Sequence, residues 1–320
     1  MISRDPDELI AAAATGSRPA LARLITFVES GGAKQRATVS RAYATPAPYV
    51  VGLTGPPGAG KSTLTDQLIK TALAAGSFDG TQPFDQVGVL CVDPSSPFTG
   101  GAILGDRIRM QDHATNEHVF IRSMATRGHL GGLSLAVPVA IRVLGAAGFS
   151  VVFVETVGVG QMEVDIASAA DTTIVVTNPG WGDSMQANKA GLLEVADIFV
   201  INKADRAGVA ETRRDLEQML DLGGPYEWRP PILEAIATTG DGVEGLLEAI
   251  SSHAQFLAEG RLGEHRRRQA ARGLDQVIAA SLRARVADLA HGEAYERALE
   301  EIVALRTDPY HAAEQLLSEG

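Results

Sequence analysis

The stretch VVGLTGPPGAGKST at positions 50–63 decides the fold. It begins with an apolar run typical of a buried strand, continues as a glycine-rich loop that fits G-x-x-x-x-G-K-[ST], and leads into a helical segment. In this order the backbone N–H groups of the loop and the helix N-terminus face a bound phosphate. The sequence therefore predicts a phosphate-binding loop (P-loop) at Gly55–Ser62.

Two side chains of this loop have predicted chemical roles. Lys61 would reach the β- and γ-phosphates of a nucleotide, and the Ser62 hydroxyl would bind magnesium. A glycine-rich turn that happens to contain a lysine is the alternative, and the strand–loop–helix order argues against it. The predicted phosphate-site residues are Gly55, Gly58, Ala59, Gly60, Lys61, Ser62 and Thr63.

The chain around the loop has the pattern of a parallel α/β domain. Strand-like runs are nearly continuous in apolar residues, as expected where both sheet faces are covered, and helical stretches separate them. We predict an α/β P-loop NTPase with a doubly wound, mainly parallel sheet. The predicted strands are Val50–Thr54, Val87–Val92, Val119–Arg122, Val151–Val154, Thr173–Thr177, Ile198–Ile201 and Pro231–Ile236.

Helical segments flank this domain on both sides. Residues 1–45 predict an N-terminal extension of two helices and a linker, and residues 46–258 form the P-loop domain. Residues 259–320 are rich in Arg, Ala, Leu and Glu and predict a C-terminal helical arm. Within this arm, Arg266-Arg267-Arg268 is interpreted as a solvated helical face.

A second motif predicts which nucleotide binds. Asn202-Lys203-Ala204-Asp205 follows a strand, and its N-K-x-D pattern resembles the guanine-recognition motif of GTPases, in which the aspartate accepts the N1–H and 2-amino groups. A bare N-K-x-D could also be a capped helix start, but after a P-loop it favours GTP over ATP. Asn202, Lys203 and Asp205 are therefore predicted base-site residues, and the backbone N–H of Ala237 in a later loop is a candidate for the last base contact.

Acidic residues follow two of the predicted strands and suit a magnesium ion. Asp93 and Glu155 end their strands, and Asp106 lies a dozen residues after the first. Carboxylate oxygens are hard ligands that Mg²⁺ prefers, together with a few waters and phosphate oxygens. The candidate magnesium ligands are Ser62, Asp93, Asp106 and Glu155, of which some would act through water; Lys61 and the three acids are also the catalytic candidates.

The loop after Glu155 is predicted to be a nucleotide-dependent switch that contains Gly158 and Gln161. In small GTPases a glutamine directly after the D-x-x-G glycine orients the attacking water. Val159 occupies that position here, so we expect slow hydrolysis of GTP that a partner accelerates. Gln161 could replace the missing glutamine if the loop folds back.

Four segments together resemble the MeaB/ArgK family of GTPases, which are G-protein chaperones of adenosylcobalamin-dependent acyl-CoA mutases. They are DPSSPFTGGAILGDRIRM (93–110), ETVGVGQMEVD (155–165), NPGWGDSMQANKAG (178–191) and NKAD (202–205). The resemblance implies GTP/GDP and Mg²⁺ as ligands, a mutase such as methylmalonyl-CoA mutase as partner, and control of its cofactor loading and reactivation. It also implies a homodimer formed through the C-terminal arm. It implies a further switch at about Asn178 to Lys189, in which Lys189 takes the place of a lysine that couples nucleotide state to the mutase. Trp181 is an atypical residue of that switch.

Composition limits the other possible functions. The net charge of −11 argues against nucleic acid and anionic membranes as partners. Cys91 is the single cysteine and lies in an apolar run, which favours a buried thiol in a reducing, cytoplasmic setting. The acidic start and the interrupted apolar region near 133–154 favour neither a signal peptide nor a membrane span.

Two other functions stay open, and so does the identity of the client. A nickel-insertion GTPase would share the fold, but the seven scattered histidines offer no metal loop. A small-molecule kinase would need an acceptor pocket and usually lacks N-K-x-D. Within the resembling family, the client could be a mutase other than methylmalonyl-CoA mutase.

Overall fold

The structure is a computed structural model, and it describes residues 3–78, 81, 83–93, 113, 116–125, 135–156, 166–180, 195–289 and 292–319. The chain divides into two compact units, Met1–Gln269 and Ala270–Gly320.

A seven-stranded parallel sheet forms the centre of the first unit. Its strand order is β3-β2-β4-β1-β5-β6-β7, and every described pairing in the ladder is parallel. All seven predicted strands are present, so the doubly wound P-loop architecture is confirmed. The strands are β1 Tyr49–Thr54, β2 Val87–Asp93, β3 Val119–Ala125, β4 Val151–Thr156, β5 Thr172–Thr177, β6 Ile198–Asn202 and β7 Ile232–Ala235.

Helices cover both faces of this sheet, which explains the continuous apolar runs of its strands. On one face α4 and α7 pack on a core that includes Leu53 and Phe153; on the other, α1, α2, α3 and α5 pack on a core that includes Val152 and Val154. Cys91 is buried in the first core, as predicted. The helices of this unit are α1 Pro6–Ala14, α2 Arg18–Ser30, α3 Gly32–Ala42, α4 Lys61–Ala75, α5 Ala136–Ala146, α6 Val209–Leu222 and α7 Val243–Ala258.

The N-terminal segment contains three helices, so the prediction of two helices and a linker was wrong. Gly31 and Gly32 both have positive φ, 76° and 81°, and break the chain between α2 and α3. The third helix escaped the sequence pattern because it buries only Thr38 and Ala42, which gives it almost no apolar stripe.

The long helix α8, Leu262–Leu289, starts in the first unit, and the second unit also holds α9 Glu293–Val303 and α10 Pro309–Glu319. These elements agree with the predicted helical character of the C-terminal region. The interpretation of the Arg266–Arg268 run needs correction at its first member. Arg267 and Arg268 are exposed, but Arg266 pairs with the buried carboxylate of Asp171. Among the described helices, none combines the length and apolar character needed to cross a membrane.

Candidate nucleotide site

The predicted site residues lie at one edge of the sheet because their strands are parallel. β1 ends at Thr54 directly before the P-loop, and its neighbour β4 ends with Glu155 and Thr156. β2 ends at Asp93, and β6 ends at Asn202. Doubly wound sheets bind their ligands at this carboxyl edge, beside the central strands.

Two glycines let the P-loop pass very close to the rest of the site. A Cβ atom at Gly55 would lie 2.0 Å from the backbone oxygen of Val176 in β5, and φ at Gly55 is 134°. A Cβ atom at Gly60 would lie 2.3 Å from Nδ2 of Asn202, and φ there is 91°. A side chain at either position would therefore push the loop away from β5 and β6. These two close contacts explain why the first and last of these positions in the motif are glycine.

Two lysines are held across the loop by its carbonyl groups. The Lys61 ammonium donates to the backbone oxygens of Gly55 and Pro56 at 2.6 and 3.0 Å. The Lys203 ammonium donates to the Gly58 oxygen at 2.5 Å, and Lys203 itself adopts a left-handed backbone with φ of 60°. The loop thus collects two positive charges, which suits a polyphosphate ligand.

Ser62 and Glu155 come together at the start of α4. The Ser62 hydroxyl donates to Oε1 of Glu155 at 2.6 Å, and both residues are buried. Glu155 is 1% exposed, so its charged form needs strong local stabilisation. A serine hydroxyl next to a carboxylate is a hard oxygen donor set, which fits Mg²⁺.

Asn202 connects the P-loop with the loop after β7. Its Nδ2 donates to the backbone oxygen of Ala59 at 2.7 Å, and its Oδ1 accepts the Ala237 N–H at 3.0 Å. Asn202 is 1% exposed, and the two bonded backbone groups belong to buried residues. In this structure the Ala237 N–H is thus directed to Asn202, and its predicted contact with a base stays a prediction.

Asp205 lies on the exposed turn that follows β6, where a ligand can reach its carboxylate. The turn is fixed by Ala204, whose N–H donates to the backbone oxygen of Ala235 at 3.1 Å. Thr63 follows Ser62 on the first turn of α4 and is half-buried. The structure therefore brings the predicted phosphate and base residues to the same edge of the sheet.

The remaining predicted residues lie outside the description. Asp106, Gly158, Gln161, Trp181 and Lys189 are not among the described residues, and Asp93 is described only by its backbone position. The described residues contain no group of three or more His, Cys, Asp or Glu side chains arranged to hold a metal ion. The roles of these residues in switching and magnesium binding thus stay predictions.

Sequence reasoning missed the contact between Asp66 and His113. Asp66 lies one helical turn after Ser62, and its Oδ1 is 3.0 Å from Nε2 of buried His113, while Lys70 pairs with the other carboxylate oxygen at 2.8 Å. The two residues are 47 positions apart, and neither belongs to a motif that pairs them.

Known proteins resemble this chain in sequence over most of its length. Residues 21–291 match the model of the family described as methylmalonyl Co-A mutase-associated GTPase MeaB. A Pyrococcus abyssi (strain GE5 / Orsay) protein whose name classes it with GTPases is 49% identical over 320 residues, which cover 98% of this chain and 96% of the relative. GTPase ArgK of Escherichia coli (strain K12) is 40% identical over 265 residues, with coverage of 79% and 78%.

Two further comparisons extend the likeness. The mouse methylmalonic aciduria type A homolog, a mitochondrial protein, is 32% identical over 284 residues, which cover 82% of this chain and 66% of that protein. Among solved structures, one titled LAO/AO transport system kinase has a TM-score of 0.70 and 27% identity, with coverage of 99% and 98%. The family match spans most of the chain and includes every element of the site described above. The chain therefore belongs to the MeaB family and is a GTPase.

Proposed function

We propose that this protein is a magnesium-dependent GTP switch that controls the loading and repair of the cobalamin cofactor in an acyl-CoA mutase. The observation that carries the nucleotide part is the buried Ser62–Glu155 hydrogen bond directly beside the P-loop. In this bond a carboxylate at the end of β4, directly before the predicted switch loop, contacts the residue predicted to bind magnesium. A change at the ion would thus reach β4 directly.

The site residues have distinct proposed roles. Lys61 holds the β- and γ-phosphates, and Gly55, Gly58, Ala59, Gly60 and Thr63 supply backbone N–H groups around them. Ser62 and Glu155 hold the magnesium ion, with Asp93 and Asp106 as further ligands, directly or through water. When bound, magnesium would neutralise charge that develops on the phosphates.

Guanine is the proposed base, with Asp205 as its reader. The exposed carboxylate can accept the N1–H and 2-amino groups, which adenine does not offer as a pair. Asn202 and Lys203 precede Asp205 in the same motif, and both donate hydrogen bonds to backbone oxygens of the P-loop, at Ala59 and Gly58. Recognition of the base and binding of the phosphates would thus occur on one rigid framework.

The mutase partner is proposed from the family. The family description names an association with methylmalonyl Co-A mutase, and a mouse relative is named for methylmalonic aciduria. Gly158, Gln161 and Lys189 would belong to the switches that transmit the nucleotide state to the mutase. The client is methylmalonyl-CoA mutase or a related adenosylcobalamin-dependent enzyme.

We further propose that the protein acts as a homodimer through α8. Leu274, Ile278, Leu282 and Val286 recur every four residues on this helix, and each is about half exposed or more. Such a stripe gives this helix an exposed apolar face, which suits packing against another helix. Replacing Ile278 and Leu282 by glutamate should give a monomer by light scattering, whereas a persisting dimer would place the interface elsewhere.

The deciding experiment is GTP turnover by the purified protein, alone and with a panel of adenosylcobalamin-dependent mutases. We expect a slow basal rate that one mutase raises at least tenfold, which would also name the client. If no mutase binds or changes the rate, the protein remains a GTPase but the mutase proposal is rejected.

A further inference from the structure

The inference concerns the return segment, which we define as residues Ile166–Asp171 between β4 and β5. β4 and β5 are parallel, so the chain between them must return from the carboxyl edge, where Glu155 lies, to the opposite edge of the sheet. The described part of this return begins with a short 3₁₀ turn at Ile166–Ser168 and ends at Asp171, one residue before β5. It is thus the described end of the connection that starts beside the magnesium residues.

The return segment packs closely against the central strand β1. Ile166 and Ala170 are buried, at 0% and 1% exposure. A Cβ atom at Gly52 of β1 would lie 2.8 Å from Cγ1 of Ile166 and 2.9 Å from Cβ of Ala170, so the segment occupies the space that a side chain would take. Gly52 lies only two residues before Thr54, the last residue before the P-loop. A shift of the return segment would therefore disturb β1 close to the phosphate site.

Asp171 fixes the far end of the segment. Its N–H donates to the backbone oxygen of Val50 at 2.7 Å, and its Oδ2 accepts the Val50 N–H at 2.9 Å. The Asp171 side chain is only 2% exposed, and a buried carboxylate needs a charged partner. Arg266 of α8 supplies it, with Nη2 at 3.2 Å from Oδ2 and Nε at 3.3 Å from Oδ1, and Nη2 also donates to the Pro48 oxygen at 3.3 Å.

The neighbouring residue Ala170 is held by the same face of α8. Nε2 of Gln269 donates to the Ala170 oxygen at 2.6 Å, and Nε2 of His265 lies 3.1 Å from the same oxygen. His265 and Gln269 are one helical turn apart, and their side chains also contact each other at 3.0 Å. The first two turns of α8 thus contact Ala170 and Asp171, the last two residues of the return segment, through hydrogen bonds and an ion pair.

We propose that Arg266 and Gln269 are positioning residues for GTP hydrolysis. They fix Asp171 and Ala170, which keeps the return segment against Gly52 of β1. The next residue of β1, Leu53, is the register partner of Glu155 in β4. The inference rests on the proposed role of Glu155 at the magnesium ion. Releasing these contacts would shift β1 and β4 near Leu53 and Glu155, while the Asn202 and Lys203 hydrogen bonds would still hold the P-loop for nucleotide binding.

The test is steady-state GTP hydrolysis by Arg266→Ala without any mutase, at a temperature where circular dichroism and thermal melting show full folding. We expect kcat to fall about tenfold while KM for GTP stays within about threefold, because misplacement by a fraction of an ångström slows chemistry more than binding. Arg266→Lys retains the charge and should recover part of the rate. Arg267→Ala is the matched control, since it removes the same charge from an exposed neighbour and should leave kcat unchanged.

Three outcomes would overturn the proposal. The first is an Arg266→Ala protein that melts earlier but hydrolyses GTP at the wild-type rate, which would make the contact structural. The second is an equal loss of kcat in Arg267→Ala, which would indicate a general charge effect. If Arg266→Ala does not fold, Gln269→Ala takes its place, because it removes one hydrogen bond to the Ala170 oxygen. The third outcome would be an unchanged kcat in Gln269→Ala. Failure here leaves the mutase proposal untouched, because the assay contains no mutase.

Discussion

At the edge of the sheet opposite the nucleotide site, the buried side chain of His253 is paired with the partly exposed carboxylate of Asp197. Nε2 of His253 lies 3.4 Å from Oδ1 of Asp197, and Nδ1 of His253 lies 2.9 Å from the Thr172 hydroxyl, which contacts Tyr49 at 2.5 Å. Burial, aided by His265, lowers the pKa of His253 from 6.5 to about 4. Burial, aided by Asp171, raises the pKa of Asp197 to about 7 against a hydrogen bond from the Thr173 N–H.

The two shifts change the free energy of unfolding in opposite directions. Between pH 6.5 and 4, unfolded chains protonate His253 but the folded protein does not, so this group destabilises the fold as pH falls. Between pH 3.8 and 7 the folded protein keeps a proton on Asp197 that the unfolded chain releases, so this group destabilises the fold as pH rises. In the wild type these two dependences largely cancel.

Replacing one member of the pair should reveal how the other member alone makes the free energy of unfolding depend on pH. The His253 side chain is 3% exposed and the Asp197 side chain 28%, so we work the magnitude for His253, where solvent interferes least. A shift of 2.5 pKa units from 6.5 to about 4 corresponds to about 3 kcal/mol. The free energy of unfolding of His253→Gln, measured relative to wild type, should therefore be about 3 kcal/mol higher at pH 4 than at pH 7.5. A loss of contacts that does not depend on pH adds to this difference at every pH. Asp197→Asn should show the opposite trend.

The assay is urea unfolding followed by circular dichroism at several pH values, with each variant compared with wild type at the same pH, so that other titrating groups cancel. His118→Gln is the matched control, because His118 is exposed. A difference between His253→Gln and wild type that stays constant from pH 4 to 7.5 would refute the reasoning. So would trends of the same sign in His253→Gln and Asp197→Asn.

Three further predictions concern the nucleotide site. Lys61→Ala should reduce GTP turnover by about 100-fold or more in a phosphate-release assay, because it removes a charge that faces the phosphates; an unchanged rate would defeat the phosphate-site assignment. Asp205→Asn should weaken GTP binding by about 10- to 100-fold in calorimetry and shift preference toward xanthosine triphosphate, since the new amide donates where guanine also donates; unchanged base preference would show that another residue reads the base. Asn202→Ala should lower the free energy of unfolding by about 2–4 kcal/mol in urea titrations, because it leaves two buried backbone groups without their partner; a loss below about 1 kcal/mol would contradict the bridging role.

The sequence predicted the parts of this molecule that depend on short-range patterns. The P-loop has a motif whose glycines are dictated by close approach, as Gly55 and Gly60 show, and the strands have continuous apolar runs because both faces are covered. The ends of parallel strands share an edge, so the meeting of Ser62 with a carboxylate at the end of another strand followed from topology.

Contacts between distant residues of no motif could not be predicted in this way. Arg266 looked like one member of an exposed basic run, and its partner Asp171 lies 95 positions earlier at the entrance of a strand. A buried salt bridge leaves no periodic signal in the sequence, because each member is compatible with a solvated surface until the fold places them together. The third N-terminal helix was missed for a related reason, since it contributes little apolar surface.

The arrangement of these contacts limits where a nucleotide-dependent change can occur. Asn202 joins the P-loop to the loop after β7, Lys203 reaches across to Gly58, and Gly55 lies against β5. The P-loop, β5, β6 and β7 are thus tied together by buried or short contacts that do not involve Glu155. Glu155 contacts the start of α4 through the Ser62 hydroxyl, at the predicted magnesium position, and it is the register partner of Leu53 in β1. We therefore expect a change of nucleotide that alters the proposed ion to act first on the Ser62–Glu155 contact, while the Asn202 bridge between the P-loop and the loop after β7 stays intact.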